Sequence, residues 1–250
     1  DNLDLNTDLA KREIAAIFRS DLSLIISETE MEILQHKFRV DPTMLYYLPF
    51  LEKTPDQEAI SAWKSFEERE GFTFIGNYLH EPNWHTLQVL KNRIWPLLKK
   101  KLPGVGLHIY GSYASQKVLQ LHNTKERFFV HGRAKDAQEA IEQHRVLLAP
   151  ISFGAGVKGK FIDAMQTGTP SVTTSIGAEA MKADLLWNGL LADDDITFVE
   201  QATILYQNKE QWLSCQKNGI TILNERYHAD KFTRLFIKRL TDLRLTIASH

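Results

Sequence analysis

Cysteine is almost absent from this chain. Cys215 stands alone among 250 residues, so neither an internal disulfide nor a cysteine-built zinc site can form. A reducing, cytoplasmic location is the natural expectation. Long apolar runs are also missing: stretches such as Val146 to Ile151 fall far short of the roughly 20 residues that span a bilayer. Neither sign of charge dominates, with 30 Lys and Arg against 31 Asp and Glu. A sequence-blind nucleic-acid binder carries a basic excess, so nucleic acid is not an expected partner. No internal repeat or low-complexity stretch occurs. Nothing resembles a targeting signal either, because the opening Asp1-Asn2-Leu3-Asp4 is acidic where a signal peptide is basic and then apolar. That opening lacks Met and runs almost directly into helical pattern, and a preceding part of the protein is expected to have been cut away.

What is present is an ordinary globular mixture, 43% hydrophobic and 24% charged, which excludes whole-chain disorder, collagen and coiled coil. The length exceeds one small domain and falls short of two full ones. Short apolar runs alternate with longer amphipathic stretches. Strand candidates are Leu22–Ile26, Met44–Leu48, Phe72–Gly76, Leu107–Gly111, Phe128–Gly132, Val146–Ile151, Ser171–Thr174 and Leu190–Ala192. Helical spacing fills the gaps: Leu87, Leu90, Ile94 and Leu97 share one face, with a kink expected at Pro96 and an end at Pro103-Gly104. Three helices close the chain, over Ile196–Tyr206, Trp212–Leu223 and Phe232–Leu243. Such alternation predicts parallel strands joined by crossover helices. The expected fold is α/β, a Rossmann-like parallel sheet with helices on both faces. Residues 51–227 form this domain, with its core from about Pro55 to Glu225. Residues 1–50 read as the end of a preceding domain, and residues 228–250 as a C-terminal helix.

The most informative stretch runs from Ala149 to Met165. A buried strand leads into Phe153-Gly154-Ala155-Gly156-Val157-Lys158-Gly159-Lys160, and the loop leads into a helix. Small residues leave backbone N–H groups uncovered at a helix start; with two lysines they form an anion site, and phosphate is the expected guest. The bland alternative is a tight turn with solvated lysines. Gly154 to Lys160 fits the P-loop spacing, but Phe161 stands where a P-loop needs Ser or Thr for magnesium. The stretch also fits the dinucleotide G-x-G-x-x-G pattern, but Thr173-Thr174-Ser175 replaces the acidic strand end that pattern requires. Triphosphate hydrolysis and hydride transfer are both disfavoured. Glycines at strand ends, Gly76, Gly111 and Gly132, would let backbone approach a ligand.

Together with Asp163-Ala164-Met165, Gly168-Thr169-Pro170, Gly177-Ala178-Glu179 and Pro82-Asn83, this stretch resembles the donor-binding domain of GT-B glycosyltransferases of the group-1 (family 4) branch, in a Gly-Ala-Gly-Val-Lys-Gly-Lys variant. The likeness covers about Phe72 to Tyr227. It implies an enzyme that moves a sugar from a nucleoside-diphosphate sugar, of UDP or GDP type, to an acceptor with retention, as in cell-surface polysaccharide biosynthesis. No separate cofactor and no metal are implied. A glycan or lipid-linked acceptor, and any peripheral membrane contact, would belong to a half not in this chain. The chain alone is therefore expected to be inactive, and its catalytic residues are unassigned.

The resemblance also distributes roles. Asp163 falls where the family's ribose-binding acid stands, and Ala155 where its sugar-contacting Glu stands. Gly154, Gly156, Val157, Lys158 and Lys160 would face the diphosphate, following Phe153. Gly76 and Asn77 would let the first strand's loop approach it, and Gly132 and Arg133 would meet the base. The family's usual Arg/Lys pair is not obvious in Asn77-Tyr78-Leu79-His80, so Lys158 and Lys160 are expected to supply that charge. Alternatives are a GT-B sugar-nucleotide epimerase and a non-catalytic nucleotide-sugar-binding module.

Other signals are discounted. Asp193-Asp194-Asp195 looks like a metal-binding D-x-D, but Asp195 is expected to cap a helix. His80 and His85 read as solvated or packing residues. Asp56, Glu58, Glu67, Glu68 and Glu70 read as one solvated helix face. The tryptophans and Tyr46-Tyr47 read as core. Cys215 lies in a helix with no evident charged partner, which disfavours a nucleophile.

Overall fold

Each of the eight apolar runs forms a strand in the computed structural model, which describes residues 7–154 and 156–243. They are β1 (Ser23–Ile25), β2 (Leu45–Tyr47), β3 (Phe72–Asn77), β4 (Leu107–Ser112), β5 (Phe128–Gly132), β6 (Val146–Ala149), β7 (Ser171–Thr173) and β8 (Gly189–Leu191). The chain divides into two units. One spans Thr54–Arg226; the other joins the segment up to Lys53 with the segment from Tyr227 onward.

The larger unit holds one six-stranded sheet in the order β5-β4-β3-β6-β7-β8. Every pairing in it is parallel, so each connection crosses a face, and helices cover both. This is the expected Rossmann-like α/β architecture. Strand order reverses between β3 and β6, the switch point beside which such sheets bind ligands. Composition dictates that centre: all four residues of β6 are buried, as are Phe72, Phe74, Leu107 and Ile109 on the adjoining strands. A strand that is apolar on both faces is stable only under helices on both sides. β3 and β6 pair only at Phe72–Val146 and Thr73–Leu147. β3 and β4, in contrast, stay paired through Asn77 and Ser112. The sheet therefore splits on the carboxyl side of its switch point.

Three local expectations change. Instead of a simple kink at Pro96, a π-helical segment, Leu90–Ile94, joins the helices Glu81–Val89 and Trp95–Lys101. Proline has no N–H to donate backwards, and a widened preceding turn absorbs the loss. The acidic residues after Asp56 do not share one helix face, because that helix ends at Ala62. Asp56 caps it, Glu68 accepts from the backbone and hydroxyl of Ser65, and Glu67 pairs with Lys209 at 2.7 Å. The cap of the helix Asp195–Gln207 is Asp194, which accepts from the N–H groups of Ile196 and Thr197. Asp195 pairs with Arg93 at 2.7 Å, and Asp193 accepts from Ser175. All three aspartates thus have structural partners.

The smaller unit pairs β1 and β2 in parallel. Its core joins Ile17, Ile25, Leu34, Val40 and Leu45. Tyr46 and Tyr47 meet Phe236 and Phe232 of the helix Ala229–Asp242, so that helix groups with the amino-terminal segment. Among the described residues, no helix is long and apolar enough to cross a membrane.

A histidine cluster that the sequence reading missed lies on one face of β4 and β5. His108 Nδ1 and His131 Nε2 are 3.0 Å apart with ring planes 4° from parallel, the geometry of one shared proton. The ring of His144 stacks on His108 at 4.4 Å. Its Nδ1 lies 3.0 Å from the Glu70 carbonyl and its Nε2 3.2 Å from the Tyr110 hydroxyl. A carbonyl can only accept, so Nδ1 carries the proton and Nε2 accepts from Tyr110. The ladder slips here: Ile109 pairs with Val130 but Tyr110 with Gly132, which leaves His131 as an extra, bulged residue.

Burial, reinforced by the neighbouring imidazoles, holds His108 down to about 3. Burial likewise holds His144 down to about 4, against a smaller opposing effect of the Glu70 carbonyl. In the unfolded chain these rings take up protons near 6.5. The unfolded state therefore binds more protons as pH falls, so their contribution to stability is complete above about pH 6.5 and is lost progressively toward about pH 4. The melting temperature should fall between pH 7 and pH 5, and His108→Phe, which cannot take up a proton, should flatten that slope in melts followed by circular dichroism.

Candidate functional site

The split between β3 and β6 opens a cleft of about 720 Å³. Four segments of the described residues line it: the end of β3 and its loop, the end of β4 at Gly111 and Ser112, the turn after β5, and the glycine loop with the helix Gly159–Gln166.

Close packing shapes the first segment. Gly76 and Gly111 are register partners, and a Cβ on Gly111 would lie 2.1 Å from the Gly76 carbonyl oxygen and 2.4 Å from the Tyr78 ring. Only glycine fits there. The Tyr78 ring lies across Gly111 and its hydroxyl donates to the Tyr110 carbonyl at 3.0 Å. Asn77 Oδ1 accepts from the Leu79 N–H at 2.9 Å, which closes a tight Asx turn. A Cβ on Gly76 would sit 2.8 Å from Asn83 Cγ.

The glycine loop follows β6. Gly154 and Gly156 adopt φ of +108° and +85°, a region that suits glycine. The helix that follows begins after Lys158 with no side-chain cap; the Phe161 N–H donates to the Lys158 carbonyl at 3.0 Å, and the positive end of the helix dipole favours an anion. Phe153 packs against the His85 ring at 5.1 Å.

The two lysines differ. Lys158 donates to the Ile176 carbonyl at 3.1 Å, and burial pulls its ammonium below the usual lysine range while Glu179 opposes that. Lys160 donates to Asn83 Oδ1 at 2.6 Å and lies over the Phe74 ring. Burial, helped by the charge of Lys158, brings Lys160 down to about 8. One turn further on, burial raises Asp163 above the usual carboxylate range, opposed by Gln138, whose amide lies 3.4 Å from it.

Of the residues anticipated from sequence, Gly76, Asn77, Arg133, Phe153, Gly154, Val157, Lys158, Lys160 and Asp163 share the cleft wall. Gly132 (φ +73°) and Gly156 shape the turns beside it without lining it. Ala155 lies outside the described residues. His80, set aside as solvated, is exposed and also lines the cleft, as do Asn83 and Lys135. Lys135 had a legible signal, because it follows Gly132-Arg133 by two residues. Asn83 had none beyond its place after Pro82. Cys215 is buried and burial raises its thiol, so it is not activated as a thiolate. Among the described residues, no three His, Cys, Asp or Glu side chains gather as a metal-binding group.

A parallel Rossmann-like sheet with a glycine loop at its switch point defines the class: one half of a GT-B architecture. The family model described as Glycosyl transferases group 1 matches residues 69–208, and the chain belongs to that family. A curated Klebsiella pneumoniae protein, described as an uncharacterized 44.6 kDa protein in the cps region, is 24% identical in a 171-residue alignment that covers 65% of this chain and 44% of that protein. Among solved structures, a mutant of S. aureus TarM in complex with fondaparinux, alpha-GlcNAc-glycerol and UDP superposes with a TM-score of 0.76 at 16% identity, over 96% of this chain and 48% of that one. The pneumococcal O-GlcNAc transferase GtfA in complex with UDP and GlcNAc superposes at 0.70 with 14% identity, again over 96% and 48%. The chain thus spans less than half the length of these relatives.

Gly111→Ala should destabilise the fold by about 1–3 kcal/mol or more, because the new methyl meets backbone that cannot yield. Chemical denaturation of the variant and the wild type measures this.

Proposed function

We propose that this chain carries the donor site of a glycosyltransferase, binding a nucleoside-diphosphate sugar of UDP or GDP type in the switch-point cleft. The observation that carries the reading is the convergence there of an uncapped helix start, two lysines and the Asp163 carboxylate. The glycine loop and Lys160 would take the diphosphate. Asp163 would accept from the ribose hydroxyls, and Arg133 with Lys135 would stand on the base side. TarM and GtfA, whose complexes contain UDP, support this reading by shared fold.

In the reaction, the bond from the anomeric carbon to the diphosphate oxygen breaks. A bond to an acceptor hydroxyl oxygen forms, and the proton of that hydroxyl passes to the departing diphosphate. Charge develops on the leaving diphosphate, and fixed cations and N–H donors lower the barrier by stabilising it. Retention at the anomeric carbon follows from the family reading. An acceptor-side unit would supply the second substrate, a glycan or a lipid-linked sugar. The relative in the cps region supports a place in cell-surface polysaccharide biosynthesis.

Calorimetric titration with UDP, GDP and their nucleosides tests the site. One diphosphate should bind, and a chain that binds neither has no donor site. Lys160→Ala should weaken the diphosphate about tenfold or more and leave the nucleoside unaffected, since a charge-assisted contact is worth about 1.5–3 kcal/mol. Equal weakening of both would count against the phosphate role. Wild-type affinity for the diphosphate should also decline as pH rises past about 8, where Lys160 loses its proton.

A further inference from the structure

Asn83 has no role in the reading above, yet its bonds single it out. Its Oδ1 accepts from Lys160 Nζ at 2.6 Å, and its Nδ2 donates to the Asn77 carbonyl at 2.9 Å. These partners fix the amide's orientation, because an ammonium can only donate and a carbonyl can only accept. Its Cγ also rests against Gly76, where no Cβ could stand. Asn83 is therefore held by β3 on one side and presents one oxygen to the helix Gly159–Gln166 on the other. Lys160, in contrast, is a point charge on a flexible four-carbon stem. Its neighbour on β3 is the ring of fully buried Phe74, 5.2 Å away. An ammonium in such a place needs an acceptor, or it gives up its proton or turns away.

We propose that Asn83 is a positioning residue that fixes the Lys160 ammonium, in its charged form, at the end of β3 where a donor diphosphate would lie. The inference rests on the donor-site reading and deepens it. It also accounts for a loop that lacks the family's usual cation pair: the cation comes from the glycine-loop helix, and the β3 side supplies the neutral clamp that aims it. Lys158 lacks this clamp: its ammonium donates to the Ile176 carbonyl at 3.1 Å. A neutral amide suits the position. A carboxylate would attract the lysine but could not donate to the Asn77 carbonyl and would repel the diphosphate, and an apolar side chain would leave the ammonium without its acceptor.

The test compares the full chain with Asn83→Ala and the isosteric Asn83→Asp, which keeps the packing against Gly76 if the alanine variant proves unstable. One readout is the NMR titration of Lys160 in protein carrying labelled lysine, assigned by its loss in Lys160→Ala. The other is calorimetric binding of UDP, GDP and their nucleosides from pH 6 to pH 9.5. In Asn83→Ala the Lys160 midpoint should move down, diphosphate affinity should fall about tenfold, and its upper pH limit should move down in step, with nucleoside affinity unchanged. In Asn83→Asp the midpoint should move up, yet diphosphate affinity should still fall. A Lys160 midpoint unmoved in both variants, with the wild type binding a diphosphate, overturns this inference alone. So does equal weakening of nucleoside and diphosphate. A wild type that binds neither diphosphate removes the donor-site reading, and this role with it.

Discussion

The site exists because two central strands part early. β3 and β6 share only two paired residues, and all that follows is arranged around the resulting gap. Were they paired further, β6 would close against β3 and the glycine loop would have no cleft to line. The parting is stable because each strand has another partner: β4 follows β3 to its last residue, and β7 follows β6 from Leu147 to Ala149. Buried side chains on both faces then hold the halves in place, with Phe74, Ile109 and Leu148 all fully enclosed.

Three covered cations of the larger unit share a pattern. Their hydrogen bonds go to neutral dipoles rather than to carboxylates. Arg69 is fully buried, yet it bonds to the Lys64 and Thr167 carbonyls and the Thr169 hydroxyl. Arg145 reaches the carbonyls of Phe66, Arg69 and Tyr206 and lies between two aromatic rings. Carbonyls satisfy a guanidinium without adding a negative charge that must also be desolvated. Lys160 follows the same pattern, with an amide oxygen and an aromatic face in place of a carboxylate. Such cations keep their field, which a paired carboxylate would cancel.

Strands and crossover helices were legible in the sequence because their apolar runs are short, dense and bounded by glycine or proline; Val146–Ala149 could be little else. The glycine loop was legible because three glycines and two lysines in seven residues have few structural uses. Long-range partnerships were not legible. Nothing local ties Asn83 to Lys160, 77 positions away, or places His144 on His108. Spacing along the chain carries no record of which faces of β4 and β5 meet. The cap at Asp194 was misplaced by one residue for a related reason: three consecutive aspartates offer the same chemistry, and only the turn decides which one faces the open N–H groups.

The slip between β4 and β5 has a consequence for strand length. Side chains alternate sides along a strand, and one extra residue reverses the parity of everything after it. With His131 bulged out, Gly132 takes the place opposite Tyr110, and the strand ends there, so that Arg133 begins the turn that lines the cleft. Deleting a single residue there would preserve every neighbouring identity and still shift the Arg133 turn by one position against β4. At this edge of the sheet, counting residues matters as much as naming them.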